Sequence, residues 1–169
     1  MALLEIVTAP DPVLRKKAEK VREYNKELEK LVLDMAETMY AAPGIGLAAN
    51  QCGVLKQVAV VDISPPDKPK NLLVLINPEI VQQDEQQDQM EEGCLSLPEF
   101  RQVVSRPSRI KVCAKNLKGE TQEIIAEGLL ARAIQHEMDH LNGKLLLDYA
   151  SSIKREFYLR KRKKLLRKK

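Results

Sequence analysis

The feature that most constrains this chain is the spacing of its only two histidines, His136 and His140, in the run Gln135-His136-Glu137-Met138-Asp139-His140. A four-residue step along an α-helix turns by about 400°, so both imidazoles lie on one face, about one turn apart, and can hold one ion. Glu137 lies about 100° further round the helix, where its carboxylate can take a proton from a water molecule beside that ion. The pattern H-E-x-x-H therefore predicts a helix that carries a hydrolytic metal site.

Composition sets broad bounds on the rest of the chain. With 169 residues, 44% of them hydrophobic, the chain is long enough for one globular domain with a buried core. It contains no run approaching the ~20 apolar residues of a membrane span, and its first residues lack the pattern of an export or import signal, so we expect a cytoplasmic protein. Three cysteines at unrelated spacings argue against a disulfide framework and leave a reduced thiol available as a metal ligand.

Hydrophobic periodicity predicts a mixture of helices and strands. One amphipathic helix follows a capping Asn25 and ends before Pro43-Gly44, and a second runs from Gly128 to Asn142-Gly143 with H-E-x-x-H inside it. Between the helices we predict four strands, at 58–63, 72–76, 110–114 and 122–126. The segment 64–69 and the polar run 82–89 are predicted to be exposed loops or turns. We therefore expect a single α+β domain: short, mostly antiparallel strands around a buried central helix that carries H-E-x-x-H, followed by a C-terminal helix.

Two imidazoles do not complete a metal site, so another residue type must supply the third ligand. A metzincin site would need a histidine three residues after Gly143, where the chain has Leu146, and this class is excluded. A gluzincin-like site would need a downstream glutamate, and the only one is Glu156, inside a strongly basic segment. A nitrogen or carboxylate third ligand is therefore disfavoured.

Cys94 is the better candidate for the third ligand. It follows Gly93, which permits close backbone approach, and a thiolate binds divalent ions well. Together with His136 and His140 it would leave a fourth position open for water.

Three short motifs carry a resemblance to a known family. They are Gly44-Ile45-Gly46-Leu47-Ala48-Ala49-Asn50-Gln51, Glu92-Gly93-Cys94-Leu95-Ser96 and Gln135-His136-Glu137-Met138-Asp139-His140-Leu141-Asn142-Gly143. All three are intact, in the order and at the spacing of the bacterial peptide deformylases, which the chain resembles from near its N-terminus to about Tyr149. The resemblance implies a catalytic domain over residues 1–150, followed by a basic C-terminal helix or tail over residues 151–169, in a cytoplasmic bacterial enzyme.

The resemblance implies that Cys94, His136 and His140 bind one catalytic divalent metal ion. Members of this family most often use Fe(II), and Zn, Ni or Co can occupy the same ligands. One thiolate and two imidazoles permit several of these metals, so the preference for iron follows from the family alone.

The implied reaction removes the formyl group from the N-terminal formyl-methionine of newly made polypeptides and releases formate. Glu137 would accept a proton from water and pass it to the departing amine. The backbone N–H of Leu95 and the side-chain amide of Gln51 would stabilise the oxyanion. The peptide would bond to the backbone of Gly46, and four residues would surround the methionine side chain: Ile45, Met90, Leu129 and Ala133.

Two functions of other classes remain open. One is a general metallo-endopeptidase, which H-E-x-x-H alone would suit equally well. The other is a noncatalytic, metal-stabilised protein that binds RNA or the ribosome, although a structural metal site has no need of Glu137. Release of formate from a formyl-Met-peptide would distinguish a deformylase from both.

The C-terminal segment is strongly basic, unlike the rest of the chain. Residues 154–169 contain ten basic residues and one acidic residue, a net +9, whereas the rest of the chain holds 18 basic and 23 acidic residues, a net −5. Ser151 or Ser152 can cap a helix here, with a partial apolar stripe of Ile153, Phe157, Leu165 and Leu166. As in related deformylases, we expect this helix to contact ribosomal RNA where nascent chains emerge, with nonspecific polyanion affinity as the alternative. Deformylation of a short formyl-peptide should then not require it.

Overall fold

A computed structural model describes residues 3–168, so that Met1 and Ala2 of the predicted catalytic domain and Lys169 of the predicted tail lie outside the described residues. Within this range the three α-helices are α1 (Lys26–Ala41), α2 (Gly128–Leu141) and α3 (Ser152–Arg167). The seven strands are β1 (Gly46–Ala48), β2 (Val58–Val61), β3 (Leu73–Gln83), β4 (Gln87–Cys94), β5 (Leu97–Pro107), β6 (Arg109–Lys115) and β7 (Thr121–Glu127).

The strands form two antiparallel sheets. One has five strands in the order β1-β2-β3-β6-β7, and the other is the β4–β5 hairpin. The single α+β domain with antiparallel strands around a central helix is therefore confirmed, with individual strands of three to eleven residues. Among the described residues, no helix is both long enough and apolar enough to cross a membrane.

The polar run 82–89 is mostly strand, and its prediction as a loop was wrong. Strand β3 continues to Gln83 and β4 begins at Gln87, so only residues 84–86 turn. Side chains from 79 to 91 are exposed on both faces of the strands, and no alternation of apolar residues marks them. Backbone pairing with β5 and β6 is what makes this segment extended.

Helix α1 begins where the sequence predicts. The Asn25 side chain accepts a hydrogen bond from the backbone N–H of Leu28 at 3.1 Å, which satisfies one of the unpaired donors of the first turn. Its apolar face packs against β1 and β2 through Val32, Met35 and Met39, which are at most 1% exposed. This packing fixes the start of β1, where the first motif lies.

Helix α2 is the central helix of the fold. Ala131 and Ile134 are fully buried against residues of the five-stranded sheet, including Leu75 and Val112. The helix ends at Leu141, and Gly143, two residues later, has a φ of +75°, a conformation that L side chains rarely adopt. The two histidines are therefore carried by a helix that the core holds along its length.

We expect Gly143→Ala to destabilise the fold more than Gly53→Ala. Both glycines have nearly the same positive φ, +75° and +77°, which costs an alanine about 1 kcal/mol. A methyl group at Gly143 would overlap the backbone carbonyl of Arg15, whereas at Gly53 the nearest side-chain atom is 4.0 Å away, on Val7. The additional loss at Gly143 should be about 1–3 kcal/mol. Urea unfolding of both variants measures it, and equal losses would contradict this account.

Candidate active site

A cleft of about 500 Å³ lies between β1, the β4–β5 hairpin and α2. Ten of the eleven predicted site residues line it: Ile45, Gly46, Gln51, Met90, Cys94, Leu95, Leu129, Ala133, His136 and Glu137. The eleventh, His140, lies behind the cleft and is 1% exposed. The three motifs, up to about 100 residues apart in sequence, therefore meet in one place.

Cys94, His136 and His140 form a group with the geometry of a metal site. Their ligand atoms all lie within 4.8 Å of one another, and Cys94 Sγ is 3.2 Å from His140 Nε2. Sulfur and nitrogen ligands at about 2.3 and 2.1 Å from one tetrahedral ion would be about 3.6 Å apart. The donors present therefore fit a divalent metal ion.

Glu92 orients the first of the two imidazoles. His136 Nδ1 lies 2.9 Å from Glu92 Oε1, and because a carboxylate accepts, Nδ1 donates and the lone pair is on Nε2. Burial alone would lower the pKa of His136, but the charge of Glu137 and the interactions with Cys94 and Glu92 outweigh it and raise the pKa. The hydrogen bond to Glu92 therefore leaves Nε2 as the nitrogen of His136 that can bind a metal ion.

Glu92 is in turn held by two buried arginines. Arg106 makes a bidentate pair with it at 2.6 and 2.9 Å, and Arg132 Nη1 lies 2.5 Å from Oε2. Burial raises the pKa of Glu92, but the hydrogen bonds from His136 and Arg106 outweigh this and lower it to about 2. The carboxylate is thus ionised and fixed as an acceptor for His136.

The second imidazole is more enclosed. Burial and the charge of His136 lower the pKa of His140 well below its usual value, which favours the neutral ring that a metal requires. Its Nδ1 has no hydrogen-bond partner within residues 3–168, so Nε2, beside Cys94 Sγ, is the engaged nitrogen.

Glu137 projects from α2 towards Gly46 on β1. A Cβ at Gly46 would overlap its carboxylate, so a glycine at this position leaves the space that the carboxylate occupies. Burial raises the pKa of Glu137 to about 7, although the charges of His136 and Arg106 oppose the rise. Its Oε1 is buried without a partner in the described part of the chain.

Gln51 and Leu95 flank the cysteine. Gln51 Nε2 donates to Ser96 Oγ at 3.1 Å and lies 3.7 Å from Cys94 Sγ, while its Oε1 accepts from the N–H of Ala48 at 3.0 Å. Leu95 belongs to the two-residue turn between β4 and β5. Both residues therefore lie next to Cys94.

The sequence interpretation missed several residues of this site. Glu92 belongs to the second of the three motifs, although no function was predicted for it. Arg132 precedes His136 by four residues, a spacing that places both on one helix face. The signal for Arg132 was therefore present. Phe100 and Arg101 also line the cleft, on a strand that was not predicted.

Asp139 does not bond to either histidine. Its carboxylate accepts from Arg106 at 3.0 Å and from the Tyr149 hydroxyl at 2.7 Å. These contacts are those of a salt bridge and not of a residue that orients a metal ligand.

Comparison with known proteins places the chain in a family. A family model described as polypeptide deformylase matches residues 3–156. A peptide deformylase of Thermodesulfovibrio yellowstonii is 53% identical over 161 residues, which cover 95% of this chain and 97% of the relative. One of Acinetobacter baumannii is 51% identical over 168 residues, 99% of this chain and 94% of the relative.

Solved structures agree with this result. The crystal structure of peptide deformylase from Ehrlichia chaffeensis in complex with actinonin is similar with a TM-score of 0.92 and 41% identity, over 97% of this chain and 98% of that one. A deformylase from Legionella pneumophila has a TM-score of 0.89 and 42% identity over 99% of both chains. The chain therefore belongs to the peptide deformylase family, metal-dependent hydrolases that remove the N-terminal formyl group from nascent polypeptides.

Proposed function

We propose that this chain deformylates N-formyl-methionyl peptides at a metal ion held by Cys94, His136 and His140, with Glu137 as the proton carrier. The observation that carries the proposal is the convergence of three ligand atoms within 4.8 Å of one another beside a cleft that Glu137 also lines. Family membership favours this activity over a general endopeptidase and over a noncatalytic RNA-binding protein. As newly made chains are its substrates, we propose that it works in the cytoplasm.

The metal ion that we propose is Fe(II), with Zn, Ni or Co able to use the same ligands. When bound, such an ion supplies a Lewis acid that polarises the formyl carbonyl and brings the pKa of water from about 16 to near 7. Glu92 supports this role for His136 because it fixes the tautomer with Nε2 free to bind.

Glu137 has the position that a proton carrier needs. Its carboxylate is held between α2 and β1, and its Oε1 has no partner within residues 3–168. It can therefore accept a proton from the attacking water and return it to the amine nitrogen as the C–N bond breaks.

Two donors would stabilise the oxyanion of the tetrahedral intermediate. They are the backbone N–H of Leu95 and the Nε2 of Gln51, which is already within 3.7 Å of Cys94 Sγ. Because Gln51 Oε1 is anchored to the backbone N–H of Ala48, its amide does not need to reorient during the reaction.

The peptide substrate would lie along β1. This strand is at the edge of the five-stranded sheet, so the backbone at Gly46 can pair with an extended peptide. Ile45, Met90 and Leu129 are 44–48% exposed around the cleft and offer apolar surface to a methionine side chain, together with the more buried Ala133. A flexible thioether suits such walls.

We also propose that α3 contacts ribosomal RNA. Its outward face carries exposed basic side chains at helical spacing, Arg160, Lys161 and Lys164, within a segment of net charge +9. A duplex or folded RNA attracts such a face because its phosphates release counterions on binding.

We expect Glu137→Gln to lower the rate of formate release from a formyl-Met-peptide by about 10²–10⁴-fold, because the amide cannot accept a proton. The metal content of the purified variant should stay unchanged. Glu123→Gln, the same chemical change at an exposed carboxylate on β7, is the control and should keep full activity. Full activity of metal-loaded Glu137→Gln would refute the proposed proton carrier.

Removal of the metal should abolish formate release, and readdition should restore it. We expect protein purified without oxygen to contain about one equivalent of iron, measured by elemental analysis, and to lose activity on chelation. Fe(II) should restore more activity than Zn. Formate release that survives complete chelation would contradict a metal-dependent reaction.

Neutralising Arg160, Lys161 and Lys164 to glutamine should weaken binding to purified ribosomes and reduce its dependence on salt concentration. A variant that neutralises Lys17, Lys20 and Lys26, also exposed, makes the same change in net charge elsewhere and is the control. Cosedimentation at several salt concentrations measures both. An equal loss in the two variants would indicate nonspecific affinity for polyanions.

A further inference from the structure

We propose that Tyr158 of α3 is a positioning residue for the substrate cleft, because it holds the bend in β5 that forms one wall. The proposal rests on the proposed function, since it concerns the cleft in which the formyl-peptide would bind. It assigns the inner face of α3 a role that is independent of any contact with RNA.

Tyr158 is the most enclosed side chain of α3, with 9% of its surface exposed. Its hydroxyl donates to the backbone carbonyl of Pro98 at 2.8 Å, and its ring lies against the ring of Phe100, with centroids 4.9 Å apart. The Tyr158 side chain therefore contacts β5 on both sides of Glu99, the residue between Pro98 and Phe100.

Glu99 has a strained backbone. Its φ is +67°, a conformation that costs a residue with a side chain about 1–2 kcal/mol and persists only where surrounding contacts impose it. Glu99, Phe100 and Arg101 all line the cleft. The bend that Tyr158 holds is therefore the bend that presents these three residues to a bound peptide.

Lys154 and Arg162, which lie on the same face of α3 as Tyr158, also donate hydrogen bonds to backbone carbonyls near the cleft wall. Lys154 Nζ donates to the carbonyl of Arg101 at 2.6 Å, and Arg162 donates to the carbonyl of Ala9 at 3.1 Å. The N–H of Ala9 in turn donates to the carbonyl of Ser96, in the turn that follows Cys94. Lys154, Tyr158 and Arg162 follow one another at four-residue intervals on one face of α3. Together they hold both ends of the segment that runs from the turn at Ser96 to Arg101 in the cleft wall.

This bracing matters because the wall belongs to a two-stranded sheet. Strand β5 pairs only with β4 among the described strands, and an isolated hairpin is marginally stable without packing on its faces. Helix α3 contributes to that packing through Tyr158 beside Phe100, together with Leu145, Leu146 and Leu147. The C-terminal segment then supports the cleft wall and is not a separable appendage, in contrast to the expectation that short substrates do not require it.

The expected effect is on substrate binding. Phe100 and Arg101 line the cleft but are not among the groups that we assign to the metal or to proton transfer, so a loosened wall weakens the substrate complex and the transition state alike. Such a change raises KM and leaves kcat nearly constant. A purely structural role would lower the melting temperature without this split.

The test uses the full-length, metal-loaded protein and a formyl-Met tripeptide. We expect Tyr158→Phe, which removes only the hydroxyl, to raise KM about three- to fivefold with kcat within twofold of wild type, and Tyr158→Ala to raise KM further. Lys154→Met should raise KM independently. Phe157→Ala removes the adjacent, 69% exposed aromatic ring and should leave KM and kcat unchanged.

Wild-type KM in Tyr158→Phe and Lys154→Met, with folding confirmed by thermal melting, would overturn the inference. So would a fall in kcat at constant KM, because this would place the effect on the reacting groups. The proposed function fails by a different result, the absence of formate release from the wild-type, iron-loaded protein. The two failures are therefore distinguishable.

Discussion

The structure depends on one buried carboxylate. Glu92 accepts hydrogen bonds from His136 on α2, from Arg106 on β5 and from Arg132 on α2, and so links the hairpin that carries the cysteine to the helix that carries the histidines. A helix can present two imidazoles unaided, but Cys94, the proposed third ligand, belongs to a different element. Loss of one partner from such a buried cluster leaves an uncompensated charge and costs about 3–5 kcal/mol. The cluster therefore fixes where Cys94 lies relative to α2.

The other side of the cleft depends on a residue without a side chain, Gly46. Strand β1 runs close to α2, and Gly46 leaves the space into which the Glu137 carboxylate projects. Because β1 is an edge strand, the backbone beside this glycine has a side on which a peptide can pair. The same close approach would therefore serve both the proposed proton carrier and the backbone of a bound peptide.

Helix α3 has two faces with different physical character. The outward face is strongly basic and solvated, whereas the inner face contacts β5 and the N-terminal segment through Lys154, Tyr158 and Arg162. The basic side chains attract an anionic partner over several ångströms and do not need exact geometry. The hydroxyl and ring of Tyr158, in contrast, act only in direct contact with β5. The two roles proposed for α3, contact with RNA and support of the cleft wall, therefore belong to different faces of the helix.

The sequence by itself determined the features that are encoded locally. The cap at Asn25, the extent of α2 and the common face of His136 and His140 all follow from helical periodicity and from capping residues within one or two turns. The family motifs identified Cys94 and Gln51, which line the cleft as expected. Only the tertiary structure decided the partners of Glu92, because Arg106 is fourteen residues away on a strand whose pattern alternates too weakly to predict. It alone also placed Tyr158 against Phe100, since a contact across 58 residues has no periodic signal and depends on how α3 packs on the hairpin.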